Sequence, residues 1–166
     1  MAPAKKRNVI DQVADLPATP GVYALYGGTG RSRYVAYIGI AKNLRSRIDQ
    51  HLIRRDSSVT TGTTATGLNP DYVTEVTWWK HRRFHSRAVL EAAELIAYDV
   101  LEPALRSRGG VTNRAKDLYR DDEFFEEMES LFRGDPAGRL VLPTLQTALD
   151  RLSSLEKRVE ELERKR

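Results

Sequence analysis

The sequence predicts an α+β fold: a small mixed sheet built on a β-hairpin, flanked by helices and followed by a helical C-terminal extension. Three observations predict it. Two apolar, aromatic-rich runs, residues 21–26 and 34–40, stand on either side of a glycine turn, Gly27-Gly28-Thr29-Gly30. Two later stretches carry apolar residues at helical spacing: Leu44, Ile48 and Leu52, then Leu90, Ala93, Ala97 and Val100. Near the end, Leu145, Ala148, Leu152, Leu155, Val159 and Leu162 recur in alternating steps of three and four.

Taken in order, residues 1–19 form a polar lead with a short apolar segment, 9–16, and Pro17 and Pro20 are expected to break any helix there. Residues 21–26 and 34–40 are the hairpin strands. Residues 41–52 read as a helix, with Lys42, Arg45 and Arg47 set between its apolar positions. Residues 53–70 turn polar and lose periodicity, so they read as a long loop; the Thr/Gly composition of 57–67 suits close approach to a phosphate backbone or an exposed disordered loop. Tyr72, Val73, Val76, Trp78 and Trp79 restore strand character. Ser86 is placed to cap a helix over 87–101 that stops before Pro103. Residues 112–133 suggest short acidic helices, and 134–143 read as a linker by composition. The resulting division is a lead over 1–19, a main domain over 20–110, a helical extension and linker over 111–142, and a terminal helix over 143–166. That last helix reads as a coiled-coil seam of about three heptads or as an amphipathic helix docked on its own domain; self-association into a homodimer through 144–166 is the preferred reading.

Composition limits the chemistry. The chain has 166 residues, 40% of them hydrophobic and 30% charged, enough for a modest core beneath a highly charged surface. With no cysteine, disulfides, thiolate catalysis and cysteine-bound zinc are excluded. No apolar run is long enough to cross a membrane, and the basic stretch 1–7 is not followed by the apolar stretch of a secretory signal, so a cytoplasmic location is expected. The net charge of +4 is uneven. Residues 1–55 hold ten Lys/Arg against three Asp/Glu (+7), and the remainder holds seventeen against twenty (−3). The N-terminal part therefore suits an anionic partner, commonly nucleic acid, or is simply a solvated basic surface.

The hairpin carries the most specific signal. Gly21-Val22-Tyr23 on its first strand and Tyr37-Ile38-Gly39 on its second are followed by Ala41-Lys42-Asn43-Leu44, by Arg47 ten residues after Tyr37, and by His51 four residues later. This ordered set resembles the GIY-YIG nuclease superfamily over about residues 20–105. The 14-residue spacing of Tyr23 and Tyr37 is a few residues longer than is usual there, and the 27–33 loop absorbs the difference. The resemblance implies a metal-dependent endonuclease acting on DNA, with RNA as a further substrate class. Candidate catalytic residues are then Tyr23, Tyr37, Arg47 and His51.

Elementary chemistry explains the combination. A tyrosine is a poor base at neutral pH unless a neighbouring cation lowers its pKa. Tyr23, alone or with His51, would take the proton from water, and Tyr37 would orient water or phosphate. An arginine is always charged and its planar fork matches two phosphate oxygens, so Arg47 would stabilise the transition state. Arg47 and His51, four apart, are expected on one helix face, with Leu44, Ile48 and Leu52 on another.

The resemblance also implies a glutamate on the later helix holding Mg²⁺ or Mn²⁺, ions that take oxygen ligands and accept a single carboxylate plus waters. Glu91 follows Leu90 as the family pattern expects and is preferred; Glu94, which keeps the usual distance to Pro103, is the alternative. The family's asparagine has only a distant candidate in Asn113, which reads better as a turn or cap residue. Lys42, Arg45, Arg54 and Arg55 are the candidate nucleic-acid contacts, and Lys80, Arg82, Arg83, Arg87, Arg106 and Arg108 extend a basic rim. His81 and His85, four apart, lack a third ligand and are set aside as a metal pair. No separate sequence-reading module is visible. The rival function is a nucleic-acid-binding or dimerising module on the same fold with weak or no cleavage.

Overall fold

The computed structural model describes residues 8–61, 67–106, 110–143 and 145–166. Strands β1 (Gly21–Gly27) and β2 (Tyr34–Ala41) form the antiparallel hairpin, with Tyr23 opposite Gly39 and Leu25 opposite Tyr37. Gly28 and Gly30 turn the chain at φ of 69° and 57°, conformations that glycine adopts without steric cost. Strand β3 (Val73–Trp79) pairs with the other side of β1, and β4 (Gly138–Val141) pairs with β3, giving the order β2-β1-β3-β4.

All of these pairings are antiparallel, where the sequence suggested a mixed sheet. The connection from β2 to β3 carries the chain to the other side of β1, where β3 runs antiparallel to it. The parallel pairing among the described residues is a single bridge between Tyr37 and Leu105 on the outer side of β2.

The sheet is covered on both faces, which is why central β1 is buried along its whole length. The two-residue period of the strand sorts its side chains. Val22, Ala24 and Tyr26 join Ile38 and Trp79 against helices α4 (Arg87–Leu101), α5 (Asn113–Arg120) and α6 (Asp122–Arg133). Tyr23 and Leu25 join Tyr37 and Val76 against α1 (Val9–Ala14) and α2 (Leu44–Leu52). A register shift between Leu25 and Tyr26 lets Ala36 and Tyr37 both pack on the α2 side.

Several local expectations are corrected. Residues 9–14 do form one short helix, capped by Asn8 and ending before Pro17. The helix expected from Ala41 begins at Leu44, because Ala41 still pairs in β2 and the Asn43 side chain accepts from the Ser46 N–H as an N-cap. The 53–70 stretch contains a four-residue helix, α3 (Ser58–Thr61); residues 62–66 of the 57–67 loop lie outside the described residues. The 134–143 stretch is not a linker, since β4 lies within it. The 111–142 segment also belongs to the main core, because Ala115, Phe124, Met128 and Phe132 bury their side chains with those of α4. After Leu142, helix α7 (Leu145–Arg164) begins, and every residue of it whose burial is described is exposed. Among the described residues, no helix is long and apolar enough to cross a membrane.

Candidate functional site

The hairpin places its two motif tyrosines on one face because Tyr23 sits opposite Gly39 and Tyr37 lies two residues before that glycine. Their ring centroids are 6.3 Å apart. Both motif glycines are explained by what lies over them. A Cβ on Gly39 would overlap the Tyr23 hydroxyl end, and a Cβ on Gly21 would come within 2.7 Å of Leu44 Cδ1 and of the Trp79 carbonyl oxygen. Gly39 thus leaves room for the Tyr23 phenol, and Gly21 lets α2 pack close to the sheet.

Helix α2 brings Arg47 and His51 to the same Tyr23 phenol, as the shared face expected from their spacing requires, but in different environments. His51 is fully buried with Leu44, Ile48 and Leu52, whereas Arg47 is half-buried and reaches the cleft described below. The Tyr23 Oη lies 2.6 Å from His51 Nε2, and His51 Nδ1 lies 2.7 Å from Ser57 Oγ. Ser57 Oγ also lies 3.0 Å from Thr60 Oγ1, and the Thr60 hydroxyl lies 3.1 Å from the Ser57 carbonyl oxygen, so Tyr23, His51, Ser57 and Thr60 form one continuous hydrogen-bonded chain whose direction is set by the His51 tautomer. Burial, reinforced by the Arg47 charge, lowers the His51 pKa to about 3, so the ring is neutral near pH 7. Burial, reinforced by Tyr37, also pushes Tyr23 well above its usual range against the opposing charge and hydrogen bond of Arg47, so the phenol is neutral too.

Helix α4 approaches from the other face of the sheet. It is started by Ser86, whose hydroxyl accepts from the Val89 N–H at 3.3 Å. Its two glutamates differ sharply. Glu91 is buried and engaged: its oxygens accept from Arg87 Nε at 3.1 Å, from the Thr112 N–H at 3.1 Å and from the Thr112 hydroxyl at 2.9 Å. It therefore ties α4 to the start of α5. Although burial opposes ionisation, the Thr112 and Arg87 hydrogen bonds prevail and hold Glu91 below its ordinary pKa. Glu94 accepts one bond from the Tyr98 hydroxyl at 2.9 Å, and burial raises its pKa to about 7. Its charge also bears on Tyr23. Glu94 is thus the less satisfied carboxylate and the one electrostatically coupled to the tyrosine.

These elements enclose one cleft of about 680 Å³ that straddles the end of β2, with α2 on one side and α4 on the other. Tyr37, Lys42, Arg47, Glu91 and Glu94 line it, together with Arg87 and Arg106. The guanidinium of Arg106 stands 5.1 Å from the Tyr98 ring centroid. The other basic candidates are placed elsewhere. Arg45 Nε donates to the Leu16 carbonyl oxygen at 2.8 Å, Arg54 pairs with Asp49 at 2.9 Å, and Arg55 pairs with Asp71 at 2.7 Å; none of the three lines the cleft. Arg45 ties α2 to the turn after α1, while Arg54 and Arg55 are satisfied locally around the end of α2. Arg83 and His81 converge on Glu127, at 2.9 and 3.0 Å. Asn113 is the first residue of α5 and Thr112 is the cap, so the threonine performs the role assigned to the asparagine. Arg108 lies outside the described residues.

Ser57, Tyr98 and Thr112 complete this site and were not singled out from the sequence. Ser57 lies six residues past His51 in a stretch without periodicity, so spacing offers no signal for it. Tyr98 was detectable, being four residues after Glu94 on the same helix.

No group of three or more His, Cys, Asp or Glu placed to hold a metal occurs among the described residues. A hard divalent cation with several waters does not require one. Glu94, a carboxylate with one hydrogen bond in a polar cleft, fits such an ion better than Glu91, whose oxygens are taken by Arg87 and Thr112. Comparison of the chain with protein-family models, curated proteins and solved structures finds no match.

Proposed function

We propose that this chain is a metal-dependent endonuclease that hydrolyses phosphodiester bonds in DNA, using a site of the GIY-YIG type that its motifs resemble. One observation carries the reading. Tyr37 from β2, Arg47 from α2 and Glu94 from α4 line one cleft, and Tyr23 from β1, buried outside its lining, is coupled to Tyr37, Arg47 and Glu94, which together make the combination that phosphodiester hydrolysis requires.

In this reading the scissile phosphate lies in the cleft against Arg47, Lys42, Arg87 and Arg106. Arg47 directs N–H groups at the non-bridging oxygens and stabilises the charge that builds on them. Tyr23, whose phenol is fully buried in the resting structure and does not line the cleft, takes a proton from the attacking water once substrate binding admits water to it, as its own hydroxyl proton passes to His51 Nε2. The resulting hydroxide oxygen bonds to phosphorus, the bond from phosphorus to the leaving sugar oxygen breaks, and that oxygen is protonated from solvent. A negative phosphate beside Arg47 offsets the guanidinium charge that depresses His51, so substrate binding raises the basicity of the ring when it is needed. Tyr37 orients the water or the phosphate. Glu94 would hold Mg²⁺ or Mn²⁺, which would supply Lewis-acid stabilisation of the phosphoryl and leaving oxygens.

The test is cleavage of supercoiled plasmid, branched DNA, single-stranded DNA and RNA with Mg²⁺ and with EDTA, comparing wild type with Tyr23→Phe, Arg47→Ala and Glu94→Gln. Metal-dependent nicking lost in all three variants is expected. Cleavage that persists in Arg47→Ala overturns the mechanism, and binding without metal-dependent cleavage of any substrate supports the binding-module alternative instead.

A further inference from the structure

Helix α7 presents its apolar residues to solvent. Leu145, Leu149, Leu152, Leu155, Val159 and Leu162 are between 51% and 67% exposed, although they form a continuous stripe on a 20-residue helix. The first turn leans toward the domain, since Leu145 and Ala148 border a small cavity with Val9, Leu52 and Val73. The stripe beyond it is left open.

Charge decides what can cover that stripe. With Leu145, Leu152 and Val159 at the a positions and Ala148, Leu155 and Leu162 at d, the flanking g positions are Arg151, Arg158 and Lys165. The e positions after the first heptad are Glu156 and Glu163. One edge of the seam is therefore basic and the other acidic. In a parallel pair each g residue faces the e residue of the following heptad on its partner, so Arg151 meets Glu156 and Arg158 meets Glu163, twice over by symmetry. In an antiparallel pair g faces g and e faces e, which sets arginine against arginine and glutamate against glutamate. Leucine at two of the d positions, with valine at one a position, is compatible with two strands.

We infer that α7 forms a parallel, in-register two-stranded coiled coil with a second copy of this chain. The Arg151–Glu156 and Arg158–Glu163 pairs set the orientation. Because α7 follows β4 almost directly, a parallel pair puts both sheet-bearing domains at the same end of the coil, about 30 Å from the free C-termini. The inference rests on the helix alone and stands whether or not the cleft cleaves nucleic acid.

Sedimentation of the full chain and site-specific crosslinking test it. Wild type is expected to be a dimer at tens of micromolar. The double variant Leu152→Ala/Leu155→Ala should weaken association roughly a hundredfold or more, from the usual cost of deleting two buried leucines. Since α7 is exposed, circular dichroism and melting of the main domain should be retained in that variant. The chain has no cysteine, so Leu162→Cys introduces a single thiol at a d position near the C-terminus. Parallel pairing brings the two introduced thiols together, and mild oxidation should convert most of the protein to a covalent dimer. Lys157→Cys, on the outer face, controls for random collision and should crosslink far more slowly. A wild-type monomer overturns the proposal and leaves a helix of another protein as the occupant. A dimer whose Leu162→Cys variant crosslinks no faster than the Lys157→Cys control overturns the orientation.

Discussion

Replacing Glu94 by glutamine in the metal-free protein should change how stability depends on pH. Glu94 has an ordinary pKa of 4.5, raised to about 7 in the fold chiefly by burial. The unfolded chain therefore loses this proton first as pH rises, and folding must then hold the carboxyl against its solvation preference. Between 4.5 and 7 the unfolded state binds fewer protons than the native state, so the Glu94 contribution falls as pH increases. With each pKa unit worth about 1.4 kcal/mol, the loss has a ceiling of about 3 kcal/mol, and water at the cleft screens part of it. His51 acts with the opposite sign: its pKa falls from 6.5 to about 3, so its contribution is lost as pH falls below 6.5. Wild type alone mixes the two, and the difference between wild type and Glu94→Gln isolates the glutamate. Urea unfolding in EDTA at intervals from pH 4.5 to 8 measures it. Wild type should lose about 1–3 kcal/mol relative to the variant across that range, and Mg²⁺ should restore part of the loss in wild type alone. Parallel curves for the two proteins would refute the assignment of Glu94 as a buried, cation-seeking carboxylate.

Other consequences follow from the same geometry. Gly39→Ala should cost about 1–3 kcal/mol, because the new methyl meets the Tyr23 hydroxyl end; thermal melting checks the loss, and an unchanged melting temperature would contradict the packing. Glu91→Ala should lower stability by about 1–3 kcal/mol through its lost bonds to Thr112 and Arg87, while the Mg²⁺ response of the protein persists; disappearance of that response would return the metal to Glu91. Nitrogen NMR of His51 near pH 7 should show a protonated Nδ1 and a bare Nε2. Ser57→Ala should shift the ring toward the other tautomer and reduce cleavage, with Ser57→Thr restoring both; an Nε2-protonated ring in wild type would break the proposed relay.

What was readable in the sequence follows from how local each feature is. The hairpin, α2 and α4 were legible because strand alternation, glycine turns and the Ser86 cap are short-range signals. Tyr23, Tyr37 and Arg47 were legible through spacing within those elements, and they do converge. The fourth strand was not legible. Residues 138–141 contain glycine, arginine and only two apolar side chains, and they become a strand because the edge of β3 offers hydrogen-bond partners. Side-chain assignments failed for the same reason. Arg45 and Arg47 differ by two positions on one helix, and only the fold shows that the first is occupied by the Leu16 carbonyl while the second faces the cleft. His51 was legible as a candidate partner of Tyr23, but not its burial, which arises because α2 lies across the Tyr23 phenol.

The perturbed groups have a common origin that argues for the sign of the ligand. Burial keeps Tyr23 and His51 neutral and holds Glu94 about half-protonated near pH 7. Arg47 remains charged, since a guanidinium is not deprotonated in proteins. Lys42, Arg87 and Arg106 add positive charge to the cleft wall, and only Glu91, already paired with Arg87, offsets it fully. The resting cleft is therefore net positive, with its titratable groups held near neutrality by lack of solvent rather than by ion pairing. A phosphate entering it meets the charge it needs and raises the proton affinity of His51. Glu94, if it holds the proposed divalent cation, would give up its proton to do so. Each step lowers the cost of the next, so anion and metal should bind with positive coupling. An organic cation would meet Lys42, Arg47, Arg87 and Arg106 with Glu91 already paired to Arg87, so the charge of this cleft favours an anionic ligand.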